Sequence, residues 1–283
     1  MRTLKLTIAY DGTRFVGWQR QGAGDSVQGL LEDALARFEG AAVTLHGAGR
    51  TDAGVHALGQ VASVRLTCRH DPATLARGLN AQLPDDIRVL SVEEVPPGFH
   101  ARFSARAKTY RYQIRNTPVA SPFERAYVWH LQEPLAIDAM RRAAAALVGR
   151  HDFAAFRSTG GEVASTTRSI TRSQIAWGQP CQARLAELPP GCEPRAPASP
   201  ASAAAGGGTP SGPDSPDRLL VYEIRGDGFL RHMVRAIVGT LVEVGRGRRP
   251  AEGMGALLQG GTRAQAGATA PPHGLFLVRV DYD

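Results

Sequence analysis

Twice along its 283 residues the chain runs through the same succession of patterns: strand, helix, two strands, helix, strand. That order constrains the fold more than any single motif, because helices entering and leaving one sheet in this way bury their apolar stripes against an antiparallel-rich sheet. In the first half LKLTIAY (4–10) reads as a strand, and DSVQGLLEDALARF places Val27, Leu30, Leu31, Ala34, Leu35 and Phe38 at helical spacing. Asp25 and Gln28 stand three apart, as in a capping box. AVTLH (42–46) and QVASVRL (60–66) read as strands. Asp71 and Pro72 supply an N-cap and first position for the helix PATLARGLNAQL, and DIRVLSVEEV (86–95) closes the half. In the second half KTYRYQIRN (108–116) alternates like a strand, and IDAMRRAAAALVG reads as a helix ending at Gly149. SITRSQIAW and LLVYEIRG read as strands, FLRHMVRAIVGTLVEV (229–244) as a helix, and GLFLVRVDYD as the final strand. The letters themselves do not repeat; only the order of elements does. The expectation is an α+β fold of two ferredoxin-like halves, residues 1–105 and 106–283.

Residues 179 to 217 break the second half. They are rich in Pro, Gly, Ala and Ser, without periodicity or an aromatic residue. Such a composition cannot bury enough apolar surface to offset its ordering entropy. The segment reads as a disordered insertion at a hairpin tip, between two strands of one domain. The three cysteines, Cys68, Cys181 and Cys192, form neither a Cys-x-x-Cys pair nor a zinc spacing with histidine. No apolar run approaches the roughly 20 residues of a membrane span, and the N-terminus lacks a signal-peptide core, so the expected compartment is the cytoplasm. The formal net charge of +7 favours an anionic partner. The dominance of arginine carries less weight: with only Lys5 and Lys108 as lysines, it fits GC-rich codon usage.

The stretch GAGRTDAGVHALGQ (47–60) concentrates the chemistry. It is not a dinucleotide loop, because the fingerprint G-x-G-x-x-G needs glycine at position 52, and a carboxylate there repels the pyrophosphate. Nor does the chain hold a Walker sequence. As a plain turn, the stretch would pair Asp52 with Arg50. Against that stand Arg, Thr, Asp and His within seven residues, among small neighbours that let a bulky ligand approach the main chain. A carboxylate in such a setting suits a nucleophile or a general base.

GAGRTDAGVHALGQV closely resembles the active-site loop of the tRNA pseudouridine synthase A family. YDGTRFVGWQRQ (10–21) with SVQ (26–28), FHARFSARAKTYRYQIRN (99–116), HDFAAFR (151–157), GFLRHMVRAIVGTLVEVG (228–245) and PPHGLFLVRVDY (271–282) match the family's other motifs in order. The resemblance spans the chain outside residues 179–217. It implies two ferredoxin-like halves joined in one extended, mixed but mostly antiparallel sheet, with a central cleft. It implies isomerisation of uridine to pseudouridine at positions 38, 39 and 40 of the tRNA anticodon stem-loop, without metal, nucleotide or organic cofactor. The partners implied are tRNA and a second copy of the chain in a homodimer.

Carried over residue by residue, the resemblance makes Asp52 the nucleophile, attacking either the ribose anomeric carbon or the uracil ring. Arg50 fills the gap left by the flipped base or holds its phosphate, roles that suit a planar guanidinium. Tyr110 packs on the target uracil and delivers a proton, whereas Tyr112 fits a core aromatic better. Arg235 pairs with Asp52 and keeps it ionised, the alternative being a phosphate contact. His56 is expected near the substrate as an organiser of the loop rather than a base. Arg14, Arg20 and Arg102, with Arg106 and Lys108, are expected to face tRNA, although each alone is indistinguishable from solvated surface charge. A tRNA-binding protein without catalysis would share the charge and the fold, but would have no need of a carboxylate beside RNA.

Overall fold

The computed structural model describes residues 1–158, 164–178, 180–181 and 219–282. Its strands are β1 (Arg2–Tyr10), β2 (His46–Gly47), β3 (His56–Leu66), β4 (Ile87–Val95), β5 (Ala107–Asn116), β6 (Trp129–Leu131), β7 (Gly149–Asp152), β8 (Thr167–Trp177), β9 (Leu219–Gly226) and β10 (Leu275–Asp281). Its α-helices are α1 (Val27–Glu39), α2 (Pro72–Gln82), α3 (Ile137–Ala145), α4 (Met233–Gly245) and α5 (Gly253–Leu258). All ten strands join one sheet, ordered β4-β1-β3-β10-β5-β9-β8-β7, with β2 on β3 and β6 on β5. The pairings are antiparallel except β10 with β3 and β5 with β6. The order β4-β1-β3-β2 in the first half recurs as β10-β5-β9-β8 in the second, the ferredoxin-like order.

The seam between the halves is the short parallel register Phe276↔His56 and Leu277↔Ala57. Through it one row crosses the sheet: Tyr10, Ala57, Leu277, Tyr110, Ile224, Ser173. Tyr10 and Tyr110, a hundred positions apart in sequence, thereby share a row at the seam. The core is continuous across it, from Leu4, Ile8 and Leu31 to Tyr112, Ile224 and Ile237. Helix α4 sits deepest, with Val234, Ile237, Val238, Leu241 and Val242 all buried.

Several local expectations shift. Helix α1 is capped by Ser26, whose hydroxyl accepts from the Gly29 N–H at 3.2 Å. The anticipated Asp25–Gln28 box does not form, because Gln28 instead receives the Arg20 N–H and donates to the Leu45 carbonyl. Asp71 caps α2 as expected, accepting from Thr74 N–H at 2.9 Å. Helix α3 stops at Ala145, and Gly149, at φ 120°, opens β7 instead of ending the helix. Helix α4 starts at Met233, four residues later than its apolar spacing implies, because His232 adopts a left-handed conformation. The segment 179–217 lies outside the described residues apart from Pro180 and Cys181. Cys181 itself is buried and its N–H donates to Gln113 Oε1 at 2.6 Å.

Candidate active site

The loop before β3 is held by its own backbone and by the core beneath it. Ala48 N–H donates to Val61 at 2.7 Å, Gln60 Nε2 to the Gly49 carbonyl at 2.9 Å, and Trp18 N–H to the Thr51 carbonyl at 3.1 Å. The Thr51 hydroxyl meets Tyr10 OH at 2.8 Å. A turn closes between the Asp52 carbonyl and Val55 N–H, with Gly54 at φ 76° in its third position, where a positive φ favours glycine. Gly47 lies flat on Trp18; a Cβ there would come within 2.5 Å of the indole. At these two positions the small residues serve the loop's own packing, whereas the sequence reading assigned them to ligand approach.

This scaffold presents Asp52 half-buried, facing the first turn of α4. Arg235 Nη1 donates to Asp52 Oδ2 at 3.1 Å, and Arg235 Nε donates to the Ala270 carbonyl at 2.8 Å. The guanidinium is thus fixed at two points with only 14% of its side chain exposed. On the other side, His232 Nε2 lies 3.4 Å from Asp52 Oδ1. A helix N-terminus also favours a nearby negative charge. Arg50 is exposed and has no hydrogen-bond or ion-pair partner among the described residues, so the local Arg50–Asp52 turn pair does not form.

Tyr110 lies on β5 with its ring edge against Phe229 at 5.0 Å. Burial first, then the neighbouring Tyr10 and the charge of Asp52, push its hydroxyl well above the usual tyrosine range. It is therefore a protonated donor at neutral pH. The ring is 7% exposed, so a flat stacking surface for a base is not open in this conformation. Tyr112 is fully buried, as expected for a core aromatic. Two positions before Tyr110 on the same strand, Lys108 places its ammonium beside Gly49. Burial, and then the charges of Arg102 and Arg168, push that amine down to about 8, with Asp227 opposing.

The remaining expected contacts are placed differently. His56 is 1% exposed. Its ring stacks on Phe276 at 4.7 Å, Nδ1 meets Gly12 N–H at 3.0 Å, and Nε2 meets the Ala126 carbonyl at 2.9 Å. Enclosed in this way, His56 ties the loop to the seam, in keeping with the loop-organising part expected of it, and its ring does not face solvent in this conformation. Arg14 is engaged by Asp25 and Asp86, and Arg20 by Asp33 and Glu32, so both spend their charge on carboxylates of the first half. Arg102 stays exposed over the Phe103 ring. The structure also sets His232 beside Asp52, a residue that the sequence reading does not single out. The only signal for His232 was its position one turn before Arg235 on a helix whose start had been set too early.

A carboxylate held at the seam of a doubled ferredoxin-like sheet points to the pseudouridine synthase class of isomerases. A family profile described as tRNA pseudouridine synthase matches residues 6–104 and 143–283. A tRNA pseudouridine synthase A of Syntrophotalea carbinolica is 43% identical over all of this chain and 97% of its own. Proteins of the same name from Nitratidesulfovibrio vulgaris and Myxococcus xanthus are 43% and 42% identical, with 100% and 92% of their lengths covered. The chain belongs to the tRNA pseudouridine synthase family and is an isomerase.

Proposed function

We propose that this protein converts uridine to pseudouridine at positions 38, 39 and 40 of the tRNA anticodon stem-loop, with Asp52 as nucleophile. The observation that carries this reading is the two-point fixation of Arg235, which holds the partly exposed carboxylate of Asp52 in one place. In the reaction the bond from the ribose to uracil N1 breaks, the ring turns, and C5 bonds to the ribose. C5 loses a proton and N1 gains one, so no redox partner is needed. Tyr110, a donor at neutral pH, supplies a proton near Asp52. Arg50, unpaired and exposed two residues from Asp52, occupies the place of the flipped base or takes its phosphate.

The charge of +7 supports a polyanionic partner. The cavity lined by Thr240, Val244, Met254 and Leu257 lies along the C-terminal half of α4, and its lining includes none of Asp52, Tyr110 and Arg235. An RNA stem-loop is read on an open surface. A homodimer, a cytoplasmic location and a division into halves at 105/106 belong to the same reading. No helix among the described residues is long and apolar enough to cross a membrane.

The test is tritium release from tRNA labelled at C5 of uracil, followed by mapping of pseudouridine in tRNA from cells with and without the gene. Release with modification at 38, 39 and 40 is expected. Release at other positions would overturn the site assignment, and no release the activity.

A further inference from the structure

His232 is the single non-glycine residue with positive φ among the described residues, at 60°. A side chain in this region is sterically costly, and such strain persists where surrounding structure over-determines it. What surrounds His232 is the nucleophile. Its Nε2 lies 3.4 Å from Asp52 Oδ1, and its Nδ1 lies 2.7 Å from Ser158 Oγ. Ser158 is itself pinned, its N–H donating to the Arg231 carbonyl at 3.2 Å. A right-handed His232 would extend α4 by one residue and swing the imidazole off this line.

The hydrogen-bonding roles follow from the partners. The negative charge of Asp52, 3.4 Å from Nε2, favours the tautomer that carries its proton on Nε2. In the neutral ring Nδ1 then accepts from the Ser158 hydroxyl. The groups facing the ring are Asp52 from the loop, Arg231 and Arg235 from the start of α4, and Arg263 from the segment after α5. Burial lowers the ring's proton affinity, Asp52 raises it, and the three arginines lower it again, leaving it below the usual histidine range. The ring thus stays neutral at neutral pH with Nε2 facing Asp52.

We infer that His232, with its ring oriented by Ser158, is a positioning residue that bounds Asp52 on its Oδ1 side while Arg235 binds Oδ2, fixing the plane of the nucleophilic carboxylate. The inference rests on Asp52 being the nucleophile. Protonation of His232 at acid pH turns a neutral neighbour into a cation beside the attacking group, which lowers its nucleophilicity.

The experiment compares wild type, His232→Gly, His232→Asn and Ser158→Ala in single-turnover tritium release, tRNA binding, thermal unfolding and pH–rate profiles. Glycine removes the ring and relieves the backbone, so His232→Gly is expected to keep or raise Tm. Its turnover should fall roughly tenfold as the carboxylate loses the neighbour that bounds its Oδ1 side, with tRNA affinity unchanged. Asparagine tolerates the left-handed conformation and should fold normally with the same loss. Ser158→Ala, which deletes one oxygen, should lose less and shift the acid limb of the profile, and that limb should vanish in His232→Gly. Wild-type turnover for both His232→Gly and Ser158→Ala, or losses tracking a lower Tm with the acid limb intact, would overturn the inference. A wild type without turnover would instead sink the activity itself.

Discussion

Arg235 Nη1 lies 3.1 Å from Asp52 Oδ2 across 183 positions of sequence, joining the first turn of a helix in one half to a loop of the other. Because Arg235 Nε is committed to the Ala270 carbonyl, the guanidinium cannot follow the carboxylate if it moves. The pair is therefore a fixed support, and only arginine supplies two separated N–H groups in one plane. Arg235→Lys should keep the charge yet lose the geometry, and turnover should fall by at least tenfold. A thermal-unfolding double-mutant cycle of Asp52→Asn with Arg235→Gln should give a coupling of about 1–2 kcal/mol, in the range for charge-assisted bonds. A coupling near zero would mean that the two groups act independently.

Tyr110 separates two roles that its family position joins. Tyr110→Phe keeps the ring against Phe229 and removes only the hydroxyl. If the hydroxyl delivers a proton, turnover should fall by about 10²–10⁴, the usual worth of a positioned acid, while tRNA affinity stays. Because burial and Asp52 hold that hydroxyl above its ordinary range, the pH–rate profile should show no alkaline fall from Tyr110 below pH 10. Full activity of Tyr110→Phe would leave the ring alone as the functional part.

The sequence made the order of elements legible because helical and alternating spacing report burial on one face, and the faces exist in this fold. Asp52 and Arg50 were legible because no structural requirement explains an acid and a base in that loop. What was hidden depends on long-range contact. The spacing of Val234, Ile237 and Leu241 gives a helix but cannot say where it begins, so the left-handed His232 was invisible. His56 looked like a site residue because its loop is one; only the seam with Phe276 shows that its ring is enclosed. That Arg14 and Arg20 meet carboxylates, Asp86 and Asp33, was hidden because those partners lie outside the arginines' own segment of sequence.

Lys108 is the ordered fold's least comfortable cation. Its pKa falls from 10.5 in the free side chain to about 8 in the fold, by burial and by Arg102 and Arg168. Below pH 8 both folded and unfolded states hold the proton, and the full cost of burying the charge is present. Between 8 and 10.5 the unfolded chain keeps a proton the fold has released, so this group makes stability rise with pH. Lys108→Met should therefore raise Tm at pH 7, by an amount that shrinks toward pH 10. A phosphate beside Gly49 would restore the proton, so tRNA binding at pH 8.5 should take up protons in wild type and not in Lys108→Met. Buffer-dependent binding enthalpies measure this directly; equal uptake in both proteins would remove Lys108 from the RNA surface.

Arg50 should reveal itself in turnover more than in affinity. Its guanidinium has no hydrogen-bond or ion-pair partner among the described residues, so Arg50→Ala should leave Tm unchanged. Affinity for tRNA should fall steeply with salt in both proteins as counterions are released, and the slopes should differ by about one contact or less. Turnover should fall much further, since the role proposed for Arg50 begins after the base leaves its stack. Equal losses in affinity and turnover would make it an ordinary phosphate contact.

Asp52 carries the sharpest test. Asp52→Asn keeps size and hydrogen-bonding capacity but removes the charge on which the proposed nucleophilic role depends. Asp52→Glu keeps the charge and moves it by roughly one methylene, and misplacement of about 1 Å costs on the order of a hundredfold. Both variants should lose nearly all tritium release. Both should fold, because Asp52 lies on a loop anchored through the backbone of Ala48, Gly49 and Thr51 rather than through its own side chain. Both should still bind tRNA, since phosphate contacts dominate affinity. Asp52→Asn leaves Arg235 without an anion partner, so a small fall in Tm is expected from it, but not from Asp52→Glu if the longer side chain still reaches the guanidinium. Near-normal release by Asp52→Asn, measured beside a gel-shift titration that shows intact binding, would refute the nucleophile assignment and return Asp52 to a structural partner of Arg235.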